Sequence, residues 1–352
     1  MKMSSFISAL EKQHYAKIPF VVYSYPNADE CHAWLQQKDY KLSKEQRNGF
    51  LFAPFDKEGK RYFQSFNNAT QHRIQFPRHS FSEEYSLTPS NTSEKENYRA
   101  LVEKAKRTIQ QSETLQKIVV SRKKGIAISQ FDLKEIMPLL FGGYPSAFRY
   151  LWYHPDTGFW AGATPETLVN IENDQYKTMA LAGTKPNRNG KIQWTEKERE
   201  EQAIVTRTII SELKSIGLSP RVSDVYNQQA GSVVHLRTDI TGEIGAVVSY
   251  QDIADVLHPT PAVCGEPRKE ALRFLGEEES YNREFYTGYL GIIDSKLKQT
   301  QLFVNLRCMK LEETQISIYV GGGITADSDA NDEWEETENK LQTMARVIAP
   351  LL

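Results

Sequence analysis

Cysteine is nearly absent from this chain: Cys31, Cys264 and Cys308 are the only three in 352 residues. Odd in number and far apart, they exclude a disulfide framework and a cysteine zinc site, and they suit a reducing compartment. No window of 18 apolar residues occurs, so no helical membrane span is expected. The opening stretch, with Phe6, Ile7, Ala9 and Leu10, is too short and too polar for a secretory leader, which points to the cytoplasm. An excess of one charge is also lacking. Lys plus Arg number 43 against 45 Asp plus Glu, a net charge of −2, and like charges never run to five. That balance speaks against a nucleic-acid or acidic-membrane surface. An internal repeat is missing as well.

What is present is an ordinary globular composition, 39% hydrophobic with 16 Phe and 17 Tyr, ample for a large core. Residues 1–85 read as short strands and turns (20–23, 49–52, 62–63) without a chemical signature. A polar stretch over 87–93 leads to Ser93, which with Glu96 forms a capping box for a helix carrying Tyr98, Leu101, Val102, Ala105 and Ile109 on one stripe. Strand-like segments follow at 117–121, 147–153, 159–163, 167–171 and 178–182, then a turn over 186–190, a helix over 196–216 and a strand at 233–238. A short helix precedes His258-Pro259 and another follows Pro267. Strands over 288–293, 301–308 and 316–320, a Gly321-Gly322-Gly323 turn and a helix over 332–349 close the chain. Strands come in runs between helices and do not alternate with them. This predicts an α+β fold, a large antiparallel-rich sheet core flanked by helices.

The helix over 196–216 is the most informative segment. Val205, Ile209, Leu213 and Ile216 form its apolar stripe, and stepping back by four and three puts Glu201 and Glu198 on the same line. Glu196 and Glu200 merely complement the helix dipole. In the closing helix Leu341, Met344, Val347 and Ile348 set the buried face, with Glu333, Thr337 and Lys340 inside it and Glu336 at its edge. A Glu336–Lys340 surface pair is the plain alternative. Two helices with inward acids near their starts, and no Cys or His beside them, suggest a shared hard cation, Mg²⁺ over zinc.

Arg307, on the face of the 301–308 strand that carries Phe303 and Asn305, seeks a carboxylate or phosphate ligand, or a structural acid. Gly321-Gly322-Gly323 is neither a GxGxxG nor a P-loop, and offers N–H groups to an anion or makes a tight turn. Lys117, in phase with Val119, would face inward and serve as a base once desolvated, or snorkel to the surface. His258 reads as part of a rigid helix-ending turn, and Glu166 as an exposed acid on a proline turn.

Lys117-Ile118-Val119-Val120-Ser121-Arg122, Gly162-Ala163-Thr164-Pro165-Glu166, Leu181-Ala182-Gly183-Thr184, Glu198 with Glu201, Arg307-Cys308, Gly321-Gly322-Gly323-Ile324, and Glu333-Trp334-Glu335-Glu336-Thr337 with Lys340 stand in a characteristic order. In that order the chain resembles the chorismate-utilising enzymes over about residues 95–350. Within that superfamily it most resembles the isochorismate synthases. Lys117 matches their water-activating lysine, which anthranilate synthases lack, and His258-Pro259-Thr260-Pro261-Ala262-Val263 with Gly265 and Pro267 is similar to their form of this loop. It departs from the pattern at Gln202, where the family usually has His, and at Cys264, commonly a small residue.

The resemblance implies that fold, with an N-terminal α/β portion, 1–92, and a chorismate-binding catalytic region, 93–352, in one compact domain. It also implies Mg²⁺ held by Glu201 and Glu336, with Glu198 and Glu333 in or just behind the coordination sphere. Lys117 would be the base and Glu166 the acid that let water add at C2 of chorismate as the C4 hydroxyl leaves. Arg307, Tyr286 and the Gly322 and Gly323 N–H groups would hold the enolpyruvyl carboxylate, and Gly183, Thr184, His258 and Lys340 would line the pocket. A monomer without an obligatory protein partner is implied, its product feeding menaquinone or siderophore synthesis. Salicylate synthase, which goes on to eliminate pyruvate, is the nearest alternative. Anthranilate or aminodeoxychorismate synthase, with an amidotransferase partner, and a non-catalytic ligand-binding relative stand further off.

Overall fold

The apolar and aromatic runs of the chain build two antiparallel sheets of nine strands each, as seen in a computed structural model that describes residues 2–38, 47–81, 92–186, 192–230, 233–245 and 247–352. The first sheet runs, edge to edge, Gly265–Glu266, Lys117–Ala127, Gln315–Ile324, Cys308–Leu311, Gly158–Thr164, Phe148–His154, Phe20–Ser24, Glu30–Gln36 and Ala69–Gln75. The second runs Arg221–Val222, Val233–Glu243, Gln175–Pro186, Thr167–Glu172, Gln299–Val304, Tyr289–Asp294, Asn48–Ala53 and Tyr62–Ser65, with Tyr226–Ala230 also paired to Val233–Glu243. Seven α-helices accompany them among the described residues: α1 (Met3–Tyr15), α2 (Thr92–Gln110), α3 (Leu133–Gly143), α4 (Glu196–Ser215), α5 (Tyr250–Leu257), α6 (Arg268–Glu278) and α7 (Ala330–Ile348). The α+β expectation holds.

Phe20–Ser24 and Phe148–His154 are buried at every position, which requires both faces of the sheet to be covered. On the inner face the two sheets meet across an aromatic layer. Trp152 and Trp160 of the first sheet lie against Phe50, Phe52, Leu290 and Phe303 of the second. Phe148 stacks on Phe303 at 4.1 Å, and Phe52 on Phe285 at 4.3 Å. On the outer faces α1, α3 and α7 cover the first sheet and α4 and α5 the second. α2 and α6 pack around the start of the Lys117–Ala127 strand and the first turn of α7. The strands of residues 1–92 extend both sheets.

Two of the short connections that carry the chain from one sheet to the other lie side by side. Pro165 and Glu166 join Gly158–Thr164 to Thr167–Glu172, and Asn305 to Arg307 join Gln299–Val304 to Cys308–Leu311. The crossings are laced together: Val304 N–H donates to Glu166 O at 3.0 Å, Ala163 N–H to Arg307 O at 3.0 Å, and Thr164 Oγ1 to Val304 O at 2.6 Å. The expected 301–308 strand is therefore interrupted after Val304. Arg307 lies at φ 47°, on no strand face, because the backbone must turn out of one sheet to join the other. The three glycines are not a turn either. They continue the strand Gln315–Ile324 and pair with Val119, Val120 and Ser121. α2 begins at Thr92, so Ser93 lies in its first turn, not at the expected cap. Of the turn expected over 186–190, Pro186 instead ends the strand Gln175–Pro186, and the rest, like most of the 87–93 stretch, falls outside the described residues.

The aromatic layer carries the sandwich, and removing one ring from its centre leaves a cavity that two packed sheets cannot close. Phe52→Ala is expected to destabilise the protein by about 3–5 kcal/mol, read as a lowered midpoint in chemical denaturation.

Candidate active site

A cleft with a cavity of about 70 Å³, open to solvent at its mouth, lies where the two crossings meet the N-terminal halves of α4 and α7. Glu166 is only 4% exposed there, contrary to the exposed acid expected of a proline turn. Its place between two packed sheets explains this. Burial raises its pKa to about 8, against the opposing pull of Lys117, Arg307 and Lys340, so the carboxyl holds its proton at neutral pH. Arg307 also lines the cleft. No hydrogen bond or ion pair reaches its guanidinium among the described residues, and burial pulls its pKa down while Tyr286, Glu336 and Glu166 pull it up. A fork-shaped cation without a carboxylate partner has the chemistry to take a planar anion.

Gly183 sits at φ +73° where the register slips between Ala182 and Thr184. A Cβ there would stand 3.1 Å from Glu198 Cβ, so glycine admits the first turn of α4 to the wall of the cleft. The next turn delivers Glu201, whose Oε1 lies 2.9 Å from the Nζ of Lys117. Lys117 is fully buried, as its strand phase predicts. Gly323 faces this pair: a Cβ would collide with Glu201 Oε1 and stand 2.8 Å from Lys117 Cε. Next to it, a Cβ on Gly322 would be 2.8 Å from Glu333 Oε2. The glycines thus clear space for buried carboxylates. Gly323 lines the cleft and Gly322 does not.

Each of the four glutamates meets a lysine. Glu201 has Lys117, Glu198 has Lys185 at 3.5 Å, Glu333 has Lys197 at 2.6 Å and Glu336 has Lys340 at 2.5 Å. Glu198 is further committed to its own helix start, accepting the Thr195 N–H at 2.8 Å in a capping box. Glu333, 2% exposed, also accepts from Ser328 Oγ at 2.8 Å. Burial and repulsion from Glu336 raise its pKa to about 7. Glu201, Glu333 and Glu336 all act electrostatically on one ammonium, that of Lys197. Their oxygen-only chemistry suits a hard cation, whereas Glu198 points elsewhere. Among the described residues no three acidic, His or Cys side chains stand together in liganding geometry.

Of the remaining expected residues, Thr184, Tyr286 and Lys340 line the cleft, Lys340 also donating to Gly321 O at 2.8 Å. His258 does not. Its Nε2 lies 3.1 and 3.0 Å from the carbonyls of Pro54 and Phe55, and burial lowers its pKa to about 3, so it is a neutral ring anchoring a neighbouring loop. Gln202 donates to Thr238 Oγ1 at 2.7 Å and Thr206 Oγ1 at 2.9 Å, holding α4 to its sheet, and Cys264 is buried among α2 and α6. His235, passed over in the sequence, lines the cleft. Its Nδ1 is 3.1 Å from Thr184 Oγ1 and 3.2 Å from Gly183 O, and its buried Nε2 has no partner among the described residues. Its position within an apolar strand, Val233-Val234-His235-Leu236, was the available signal.

A family model described as "Chorismate binding enzyme" matches residues 38–349. Isochorismate synthase EntC of Escherichia coli is 28% identical over 247 residues, 66% of this chain and 62% of its own length. Isochorismate synthase DhbC of Bacillus subtilis is 31% identical over 198 residues, 53% of this chain and 50% of its own length. The matches thus span between half and two thirds of those relatives. In three dimensions DhbC from Bacillus anthracis superposes with a TM-score of 0.79 at 22% identity, covering 98% of this chain and 99% of that one, which establishes a shared fold. No described helix is long and apolar enough to cross a membrane.

A carboxyl with a pKa raised from 4.5 to about 8 keeps a proton in the folded state that the unfolded chain has lost, so its contribution falls as pH rises between those values. Glu166→Gln removes that loss. The variant is expected to match the wild type near pH 4 and to gain on it up to pH 8, by on the order of 2–4 kcal/mol. Melting temperatures across that range check this; a constant difference would mean that Glu166 ionises normally.

Proposed function

Because the chain belongs to the chorismate binding enzyme family, its match running over residues 38–349, we propose that it is an isochorismate synthase. The observation that carries this reading is that Glu166, held protonated, and Arg307, without a partner, line one cleft, with buried Lys117 paired to Glu201 of its wall. The names of the relatives EntC and DhbC support it. Chorismate carries two carboxylates and an allylic C4 hydroxyl. Lys117 takes a proton from water as its oxygen bonds to C2, the ring double bonds shift, and Glu166 gives its proton to the C4 oxygen as that bond breaks. Water enters and water leaves, so the product is an isomer. Arg307, with Tyr286 beside it, holds the enolpyruvyl carboxylate as a bidentate fork. His235, neutral because burial lowers its pKa to about 3, offers Nε2 to the substrate without adding charge. A Mg²⁺ ion held by Glu201, Glu333 and Glu336 would supply Lewis-acid polarisation of the ring carboxylate. Lys117 acts as base only when deprotonated, and its partner Glu201 belongs to the cation's donor set, so the two roles compete for one carboxylate. His258 stands outside the cleft, so any distinction from salicylate synthases is not made by its ring touching substrate.

Incubation with chorismate and Mg²⁺ is expected to yield isochorismate without pyruvate, with kcat falling as pH rises through about 8 and Glu166 gives up its proton. Salicylate and pyruvate in equal amounts would reassign the enzyme to the salicylate synthases. Lys117→Gln and Glu166→Gln are each expected to lower kcat by about 10²–10⁴ while chorismate still binds, measured by turnover and by calorimetry. Near wild-type turnover in either variant would remove that residue from the mechanism.

A further inference from the structure

Lys197 is the second residue of α4, a place where the helix dipole disfavours a cation. Its ammonium nevertheless reaches across to α7 and lies 2.6 Å from Glu333 Oε1, the oxygen that also accepts from Ser328. Glu333 is 2% exposed, and a carboxylate buried so deeply is strongly destabilising if unpaired. The other lysines of the cluster are held elsewhere. Lys117 is buried against Glu201, Lys340 also bonds Gly321 O, and Lys185 serves Glu198 and the Gln193 carbonyl. Lys197 keeps 25% of its side chain exposed, and its flexible stem can withdraw to solvent.

We propose that the Lys197 ammonium is a built-in counter-cation of the Glu201, Glu333 and Glu336 cluster, which ties α4 to α7 when no metal is bound and competes with a divalent cation for Glu333. This rests on the cation-binding part of the proposed function. Loading the site exchanges one cation for another: the ammonium leaves Glu333 for solvent and the metal takes its place. Lys197→Met keeps most of the stem and removes the charge, and Lys197→Arg keeps the charge.

Titration calorimetry with MgCl₂ is expected to show Lys197→Met binding Mg²⁺ roughly tenfold or more tightly than the wild type, since a like charge at the site is gone. In chelator it should melt below the wild type and Lys197→Arg, and it should gain more from added Mg²⁺ than either. Equal Mg²⁺ affinity, or equal melting in chelator, would overturn the proposal. A wild type that binds no Mg²⁺ would instead overturn the cation reading itself. Should Lys197→Met fold poorly, a crystal structure of the wild type with Mg²⁺ decides. Nζ withdrawn from Glu333 supports the exchange, and the 2.6 Å contact intact beside a bound ion refutes it.

Discussion

Everything in the cleft depends on two strands changing sheets at one level of the sandwich. A strand that leaves one sheet for another must break its ladder, and the broken backbone groups must find partners. Here the two crossings satisfy each other through Val304, Glu166, Ala163, Arg307 and Thr164. The side chains at the breaks, Glu166 and Arg307, are thereby placed inside the protein with no strand neighbour to cover them. Low dielectric and fixed position follow from that one arrangement, and with them a carboxyl that stays neutral and a guanidinium left free to bind.

Opposite the crossings the problem is reversed, since several charges must share a small volume. The strand holding Gly322 and Gly323 solves it by leaving out side chains where Glu333 and Glu201 need room. Each carboxylate then meets an ammonium, so the unliganded site is close to balanced in charge. On the proposed reading substrate and cation together bring no net charge, because a doubly negative substrate and a divalent cation cancel.

Period and spacing made much of this legible. The stripe of Val205, Ile209 and Leu213 located α4 and pointed Glu201 inward, and the strand phase of Lys117 foretold its burial. Glu198 shares that helical phase yet turns to Thr195, because a glutamate at the third helical position can satisfy its own helix end, a local option that periodicity does not weigh. Arg307, Glu166 and the glycines were misread for one reason. Whether a strand continues, turns or changes sheets depends on pairing with residues far away in sequence, and a single strand's pattern is silent about it. His258 looked like a pocket residue through its motif, but its side chain answers to the carbonyls of Pro54 and Phe55, two hundred residues earlier. α1 and α3 were passed over entirely, their apolar faces being fixed by the sheet they cover.

The order of strands in the first sheet has a consequence for the chain as it is made. Lys117–Ala127 is flanked on one side by the two-residue strand at Gly265 and on the other by Gln315–Ile324. Both partners emerge from the ribosome long after it. Until residue 265 appears an apolar strand with Ile118, Val119 and Val120 presents two unpaired edges, and until residue 315 one, the feature that recruits other chains in crowded solution. Both edges close only after most of the chain has been made, so the longest strand of the first sheet is the last to be shielded from its neighbours in solution.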